Sequence, residues 1–340
     1  MKKLSYLIVF GLALGIVSCQ SDVDLFAGYK EIPAIYGLLD SGADTNFIRI
    51  TRVFSSEDDL IHVSSDPELI NFPGKLDVRL VEYMNGEQTR EIILDTITKH
   101  GKPSGNFAGG SQKLYYTAER LPKNETGRQY SYELIVVANG ERIVSKTNMV
   151  GGKAFKVVSP HMNFSKRYFG TERFLRFGAA SNALFYDVTI DFHYKERRTP
   201  TGDTIDSVYR FIEGRYTLGE LFSTYLDGEY AIRYRPEFFF TGLAKYLGDD
   251  TLNVSVVRYI TDYPLRIRIE AGGRELMDYL TVHDPSAVSS YGLPEVPCVG
   301  QGAVGLFSSR AVTTARGRLA GYTVVDLTDM NWGFKYIGGN

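Results

Sequence analysis

The sequence predicts a mainly β, α+β protein. An N-terminal Ig-like β-sandwich spans residues 32–158, and an α+β domain with an antiparallel sheet and short helices spans residues 160–340. Three observations carry this. Short runs alternate in polarity and are joined by Asn-Gly turns. Tyr186, Val188, Ile190, Phe192 and Tyr194 form the longest period-two run in the chain. Apolar spacings of three and four appear only in the second half.

In order along the chain, Phe47–Val53 alternates from Ile48 onward. Leu76, Val78 and Leu80 alternate with Asp77 and Arg79, and Asn85-Gly86 turns the chain into Thr89–Ile93. Tyr130, Tyr132, Leu134 and Val136 repeat the pattern, with Asn139-Gly140 as the turn and Arg142–Lys146 as the return. Asn and Gly tolerate the positive φ that a type I′ turn demands. Gly101–Gly110 reads as a loop by composition, and Lys153–Pro160 as a last strand and linker. After the run at 186–194, Pro200–Asp203 turns the chain and Ile205–Ile212 returns. Thr217–Leu226 then shows helical spacing, with Thr217 and Glu220 placed as a capping box. Arg235–Leu247 reads as a helix with Pro236 in its first turn. Leu265–Ala271 is a strand and Gly273–Leu280 a short helix; Ala303–Val312 and Gly321–Leu327 read as strands.

Composition narrows the function. Apolar residues make up 44% and charged residues 23% of the chain, the balance of a globular protein. The formal net charge is −2. Loss of Lys2 and Lys3 with a leader makes it more negative, so there is no basic excess to neutralise phosphates and nucleic acid is not an expected partner.

The first residues are a leader by pattern. Lys2 and Lys3 precede the apolar stretch Leu4–Val17, which is well short of the ~20 residues of a membrane span. Ile16-Val17-Ser18-Cys19 resembles the bacterial lipobox. That resemblance implies cleavage between Ser18 and Cys19, a diacylglycerol on the Cys19 thiol and acylation of the new amino terminus. Residues 1–18 are then a signal peptide and 19–31 a lipidated tether, anchored stably because several acyl chains are buried. Gln20–Asp24 resembles the Ser/Asp-rich export signals of Bacteroidota surface lipoproteins. Cys298, the other cysteine, has no basic neighbour in Pro297-Cys298-Val299 and reads as a packed thiol.

Motifs for chemistry are sparse. Gly300–Gly305 matches GxGxxG, but no helical pattern follows it, so it reads as a glycine-rich bend entering a strand. Asp187, Asp191 and His193 lie on one polar strand face, a pattern open to a divalent metal or to plain solvation. The five histidines are scattered, and His283-Asp284 is adjacent only in sequence. No cofactor is expected. Arg173, Phe174, Arg176 and Phe177, and Tyr234, Arg235 and Phe238, concentrate rings beside guanidiniums, the composition of an interaction surface. Thr96, Thr204, Ser207 and Thr251 lie in Asp-Thr/Ser-apolar tripeptides that resemble the O-glycosylation acceptors of Bacteroidota exported proteins.

Ile35–Asp40, Phe47–Phe54, Ile190–Tyr194 and Gly302–Arg310 together resemble outer-membrane lipoproteins of Bacteroidota that carry domains of unknown function. The resemblance implies a lipid-anchored outer-membrane protein, surface-exposed or on the periplasmic face. The first reading is a non-enzymatic binding or accessory role, with an outer-membrane barrel protein or a glycan as partner. A structural adhesin or pilus-associated subunit is the alternative, and a hydrolase acting through Asp191 or His193 stands behind it.

Overall fold

Alternating burial builds most of the molecule. In the strand β1 (Ile32–Asp40) Ile35 and Leu39 point inward, and in β2 (Asn46–Val53) Ile48 and Ile50 do. The computed structural model describes residues 32–53, 67–102, 110–198, 202–224, 228–252, 255–282 and 299–338. After β2 come the single-turn helix α1 (Pro67–Ile70) and the strands β3 (Asp77–Met84), β4 (Glu87–Ile93), β5 (Asp95–Lys102), β6 (Gly110–Thr117), β7 (Tyr130–Ala138) and β8 (Glu141–Asn148). Both Asn-Gly turns form as the sequence predicts. Asn85 and Gly86 have φ of 52° and 90°, and Asn139 and Gly140 have φ of 52° and 77°.

The second half begins with β9 (His161–Met162), β10 (Arg173–Gly178) and the long hairpin β11 (Phe185–Arg198) and β12 (Thr204–Thr217). Next are β13 (Phe222–Ser223), β14 (Glu229–Tyr234), α2 (Pro236–Leu247), β15 (Val256–Ile260), β16 (Leu265–Gly272) and α3 (Arg274–Val282). The chain continues through β17 (Val304–Leu319), α4 (Gly321–Asp329) and β18 (Phe334–Tyr336).

Three sheets result. The largest has eleven strands and runs β18-β15-β11-β16-β17-β1-β2-β6-β5, with β12 on β11 and β9 on β17. A four-stranded sheet runs β4-β3-β7-β8 and a three-stranded one β10-β14-β13. The four-stranded sheet lies over the β17-β1-β2-β6 end of the large one, and the facing residues Val78, Leu80, Tyr132, Leu134, Ile35, Ile48, Tyr115 and Phe307 share one buried cluster. This is a β-sandwich. The other end of the large sheet presents Tyr186, Val188, Ile190, Phe192, Ile267 and Ile269 to a second cluster, covered by Phe239 and Leu243 of α2, Leu175 and Phe177 of β10, and Leu327 of α4. Phe164 and Phe239 stack there at 4.3 Å between ring centroids.

β17 belongs to both clusters. Val304–Arg310 pairs in parallel with Ala34–Asp40 of β1, and Arg310–Gly317 pairs antiparallel with Leu265–Gly272 of β16. Phe307 is buried in the sandwich and Leu319 in the other core. Gly305 permits the parallel pairing: its φ is 119°, and a Cβ there would meet the Ile35 carbonyl oxygen at 2.1 Å. At Gly300 a Cβ would meet the Val144 carbonyl oxygen at 2.0 Å. These close backbone approaches account for the GxGxxG spacing, and Gly302 turns the chain into β17.

Three local expectations are corrected. Thr217–Leu226 does not begin a helix. Thr217 ends β12, a turn follows, and Phe222 pairs with Ala231. The capping-box contacts nonetheless form within the turn, where the Thr217 N–H and hydroxyl both donate to Glu220 Oε2 at 2.7 and 2.8 Å; sheet pairing outweighs the local helical spacing. Gly321–Leu327 is helical, because Thr323 and Leu327, four residues apart, are both buried on one face and the Thr323 hydroxyl accepts the Phe164 N–H. Lys153–Pro160 forms turns with one isolated bridge, Val157 to Phe177, in place of a strand. The leader, the tether, Cys298 and His283-Asp284 lie outside the described residues.

Candidate functional site

Sheet pairing brings the two aromatic–arginine clusters together. β10 and β14 are antiparallel, with Arg173 opposite Tyr234, Phe174 opposite Arg233 and Arg176 opposite Ala231. Strand alternation then divides each cluster. Leu175 and Phe177 point into the core with Ile232 and Tyr234, while Phe174, Arg176, Arg233 and Arg235 point out. Phe177 is therefore a core residue and not an interface residue, while Tyr234, largely buried, also lines an adjoining cleft. Tyr234 accepts the Asn163 N–H through its hydroxyl at 3.1 Å, and burial raises its pKa.

Arg233 and Arg235 border this cleft of about 430 Å³ between the three-stranded sheet, the end of β12 and the start of α2. Phe222 and Phe238 line it, and Phe174 meets Phe222 edge to face at 5.5 Å. Phe174 is 47%, Phe222 36% and Phe238 59% exposed. Phe238 is presented by the first turn of α2. Pro236 sits at the first helical position, where it lacks no needed donor, and Phe239 and Phe240 turn inward.

The cleft's guanidiniums are held flat. Arg233 donates to Glu172 at 2.8 Å and lies over the Phe222 ring, 4.1 Å from its centroid. Arg215 forks onto Asp187 at 2.7 and 2.9 Å. Arg235 has its nearest carboxylate oxygen, on Glu172, 3.9 Å away, so its donors are the least committed of the three. The carboxyl of Glu220 is held below its ordinary pKa by the Thr217 N–H and then by the Thr217 hydroxyl. Among the described residues the cleft lining contains no His, Ser or Cys. Exposed rings beside planar, charged donors suit stacking and bidentate hydrogen bonding.

The remaining predicted residues lie elsewhere. Arg173 stacks on Tyr168 at 4.2 Å, and Arg176 stands 3.7 Å from Glu229. Asp187 and Asp191, the carboxylates of the metal-like strand face, are each gripped by an arginine of β12, Arg215 and Arg210. Among the described residues no cluster of His, Cys, Asp and Glu has the form of a metal site. Thr204 is exposed, and Thr96, Ser207 and Thr251 are half-buried; the Thr251 hydroxyl donates to the Gly248 carbonyl at 3.0 Å. Ser18 and Cys19 lie outside the described residues. Sequence reasoning missed Glu172, Arg215, Phe222 and Arg233. The alternation Tyr230, Ile232, Tyr234 carried the signal for Arg233, since it sets Arg233 and Arg235 together on the opposite face.

Compared with known proteins, the chain matches no family model and no curated sequence.

Proposed function

We propose that this is a lipid-anchored, surface-exposed, non-enzymatic accessory protein of a bacterial outer membrane, which docks a partner through the cleft beside β14. The partner fits an outer-membrane barrel protein. The observation that carries the reading is the pair of exposed rings Phe222 and Phe238 lining the cleft with Arg233 and Arg235, with Phe174 packed edge to face on Phe222. Aromatic and arginine anchors of this kind dominate the energy of protein interfaces. The lipobox-like Ile16–Cys19 supports the anchor. No helix among the described residues is long and apolar enough to cross a membrane. The adhesin alternative by strand donation needs an open groove, whereas β1 is paired along both edges by β2 and β17.

The test is a pull-down of the C-terminally tagged full chain from gently solubilised outer membranes, beside Phe238→Ala/Arg235→Ala and Cys19→Ala forms. The expected result is a stoichiometric barrel protein that is lost from the double variant, and loss of lipid labelling in Cys19→Ala. Recovery of the lipidated chain alone overturns the stable-partner reading. Retention on a glycan resin that depends on Phe238 moves the cleft to carbohydrate.

A further inference from the structure

Charges on the outer face of the β12-β11-β16-β17 sheet are mostly answered by the strand alongside. Arg215 is met by Asp187, Arg210 by Asp191, and Glu270 by both Arg268 and Arg310. At the end of the sheet near Tyr263 this pairing breaks down. Arg266 of β16 stands directly opposite Arg316 of β17, and Arg318 follows two residues on, on the same face. Like charges placed directly opposite across a strand pair destabilise it.

Two carboxylates at this end are occupied. Asp191, the cross-strand neighbour of Arg266 on β11, is gripped by Arg210, and Asp262 accepts the Tyr336 hydroxyl. Among the described residues, none of Arg266, Arg316 and Arg318 has a carboxylate oxygen within 4.0 Å. Arg266 and Arg318 are nonetheless fixed by hydrogen bonds. Arg266 Nη1 donates to the carbonyls of Tyr263 and Leu265 at 2.6 and 3.2 Å. Arg318 donates to the Tyr263 hydroxyl, and the Arg316 and Arg318 guanidiniums lie 5.5 and 4.3 Å from the centroid of the same Tyr263 ring. Burial, and then the Arg316 charge beside it, push the Arg266 guanidinium below its ordinary value. The Arg266 charge adds to burial in lowering His193. His161, paired with Arg318 in register, is exposed at the same end.

We propose that Arg266, Arg316 and Arg318, held against Tyr263, form an oxyanion site that takes a phosphate- or sulfate-bearing ligand. Three guanidiniums gathered without a carboxylate of the described residues in ion-pair reach match the donor set that such an anion recruits. The site is separate from the cleft beside β14 and does not depend on how that cleft is used. A bound dianion converts the Arg266–Arg316 repulsion into a shared attraction.

The test uses the full chain in low-salt buffer free of phosphate and sulfate. Inorganic phosphate, inorganic sulfate, glucose 6-phosphate and glucose are titrated calorimetrically. Saturable binding of the anions and none of glucose is expected. Glucose 6-phosphate binding tighter than phosphate assigns the site to an ester, and equal affinity assigns it to the free anion. Arg316→Gln and Arg318→Gln are each expected to weaken anion binding at least tenfold, while Arg268→Gln leaves it unchanged. Without anion, Arg316→Gln melts at a higher temperature than the parent chain, because a cross-strand repulsion is gone; with saturating phosphate the order reverses. Absence of saturable binding overturns the proposal. So does equal binding in all three variants, or a lower melting temperature for Arg316→Gln in anion-free buffer.

Discussion

Replacing Arg258 with Met tests how the second core is closed. Arg258 lies on β15, and its side chain is 0% exposed. Its Nε is 3.1 Å from Glu196 Oε2, and Glu196 is itself almost fully buried on β11. Its Nη1 donates to the Trp332 carbonyl at 2.6 Å, and both terminal nitrogens reach the Asp250 carbonyl at 3.3 Å. One guanidinium thus joins β11, β15, the turn after α2 and the segment before β18. Removing one partner of a buried pair costs ~3–5 kcal/mol, because the other charge stays buried without it. Here Arg198 still reaches Glu196 Oε1 at 3.1 Å from a largely exposed position, so the lower end, about 3 kcal/mol, is expected. Set against the roughly 5–15 kcal/mol of a whole domain, that is a large fraction. Urea unfolding measures it, with Arg210→Met as the reference because the Arg210–Asp191 pair has similar geometry at the surface. Hydrogen exchange of the Ile337 amide, which bonds the Ile260 carbonyl, reports whether the β18 end opens first. A loss for Arg258→Met no greater than for Arg210→Met refutes the reasoning.

Two further outcomes follow from buried phenols and from backbone contact. Burial raises Tyr186 and Tyr194 to about 12, and burial together with Glu82 holds the Tyr132 hydroxyl protonated well above the ordinary range. In the unfolded chain these groups ionise near their ordinary value of 10.0. Their contribution is therefore complete below pH ~10 and lost as pH rises toward 12, since only the unfolded state releases protons in that window. Absorbance titration at alkaline pH shows late-ionising tyrosines if this holds, and a single ionisation near pH 10 with the fold intact counts against it. Gly305→Ala is expected to cost at least ~2 kcal/mol, because φ is 119° and the new methyl meets the Ile35 carbonyl; an unfolding midpoint equal to the parent's disproves the close approach.

What the sequence reveals is local. Tyr186–Tyr194 alternates without interruption, and its strand forms where the spacing places it. Pro236 with Phe239 and Leu243 marks α2 because a fixed φ and one apolar face act within a few residues. Thr323, Val324 and Val325 mislead toward a strand, since β-branching favours extended backbone until a buried face decides otherwise. The cleft is half legible. Composition flags Phe174, Arg235 and Phe238, but Phe222 and Arg233 join them only through the pairing of β13 and β14 and of β10 and β14. The pairing of β1 with β17 leaves no local mark at all, apart from a glycine whose reason lies on a distant strand.

That pairing imposes an order on biogenesis. Ala34 has no partner on its second edge until Val304 arrives. A chain that emerges amino terminus first carries β1 with a row of unpaired amides and carbonyls through most of its own synthesis. Such an edge is a template for wrong pairing between copies, and contacts so distant in sequence form slowly. The sandwich therefore cannot close before Val304–Arg310 has been made.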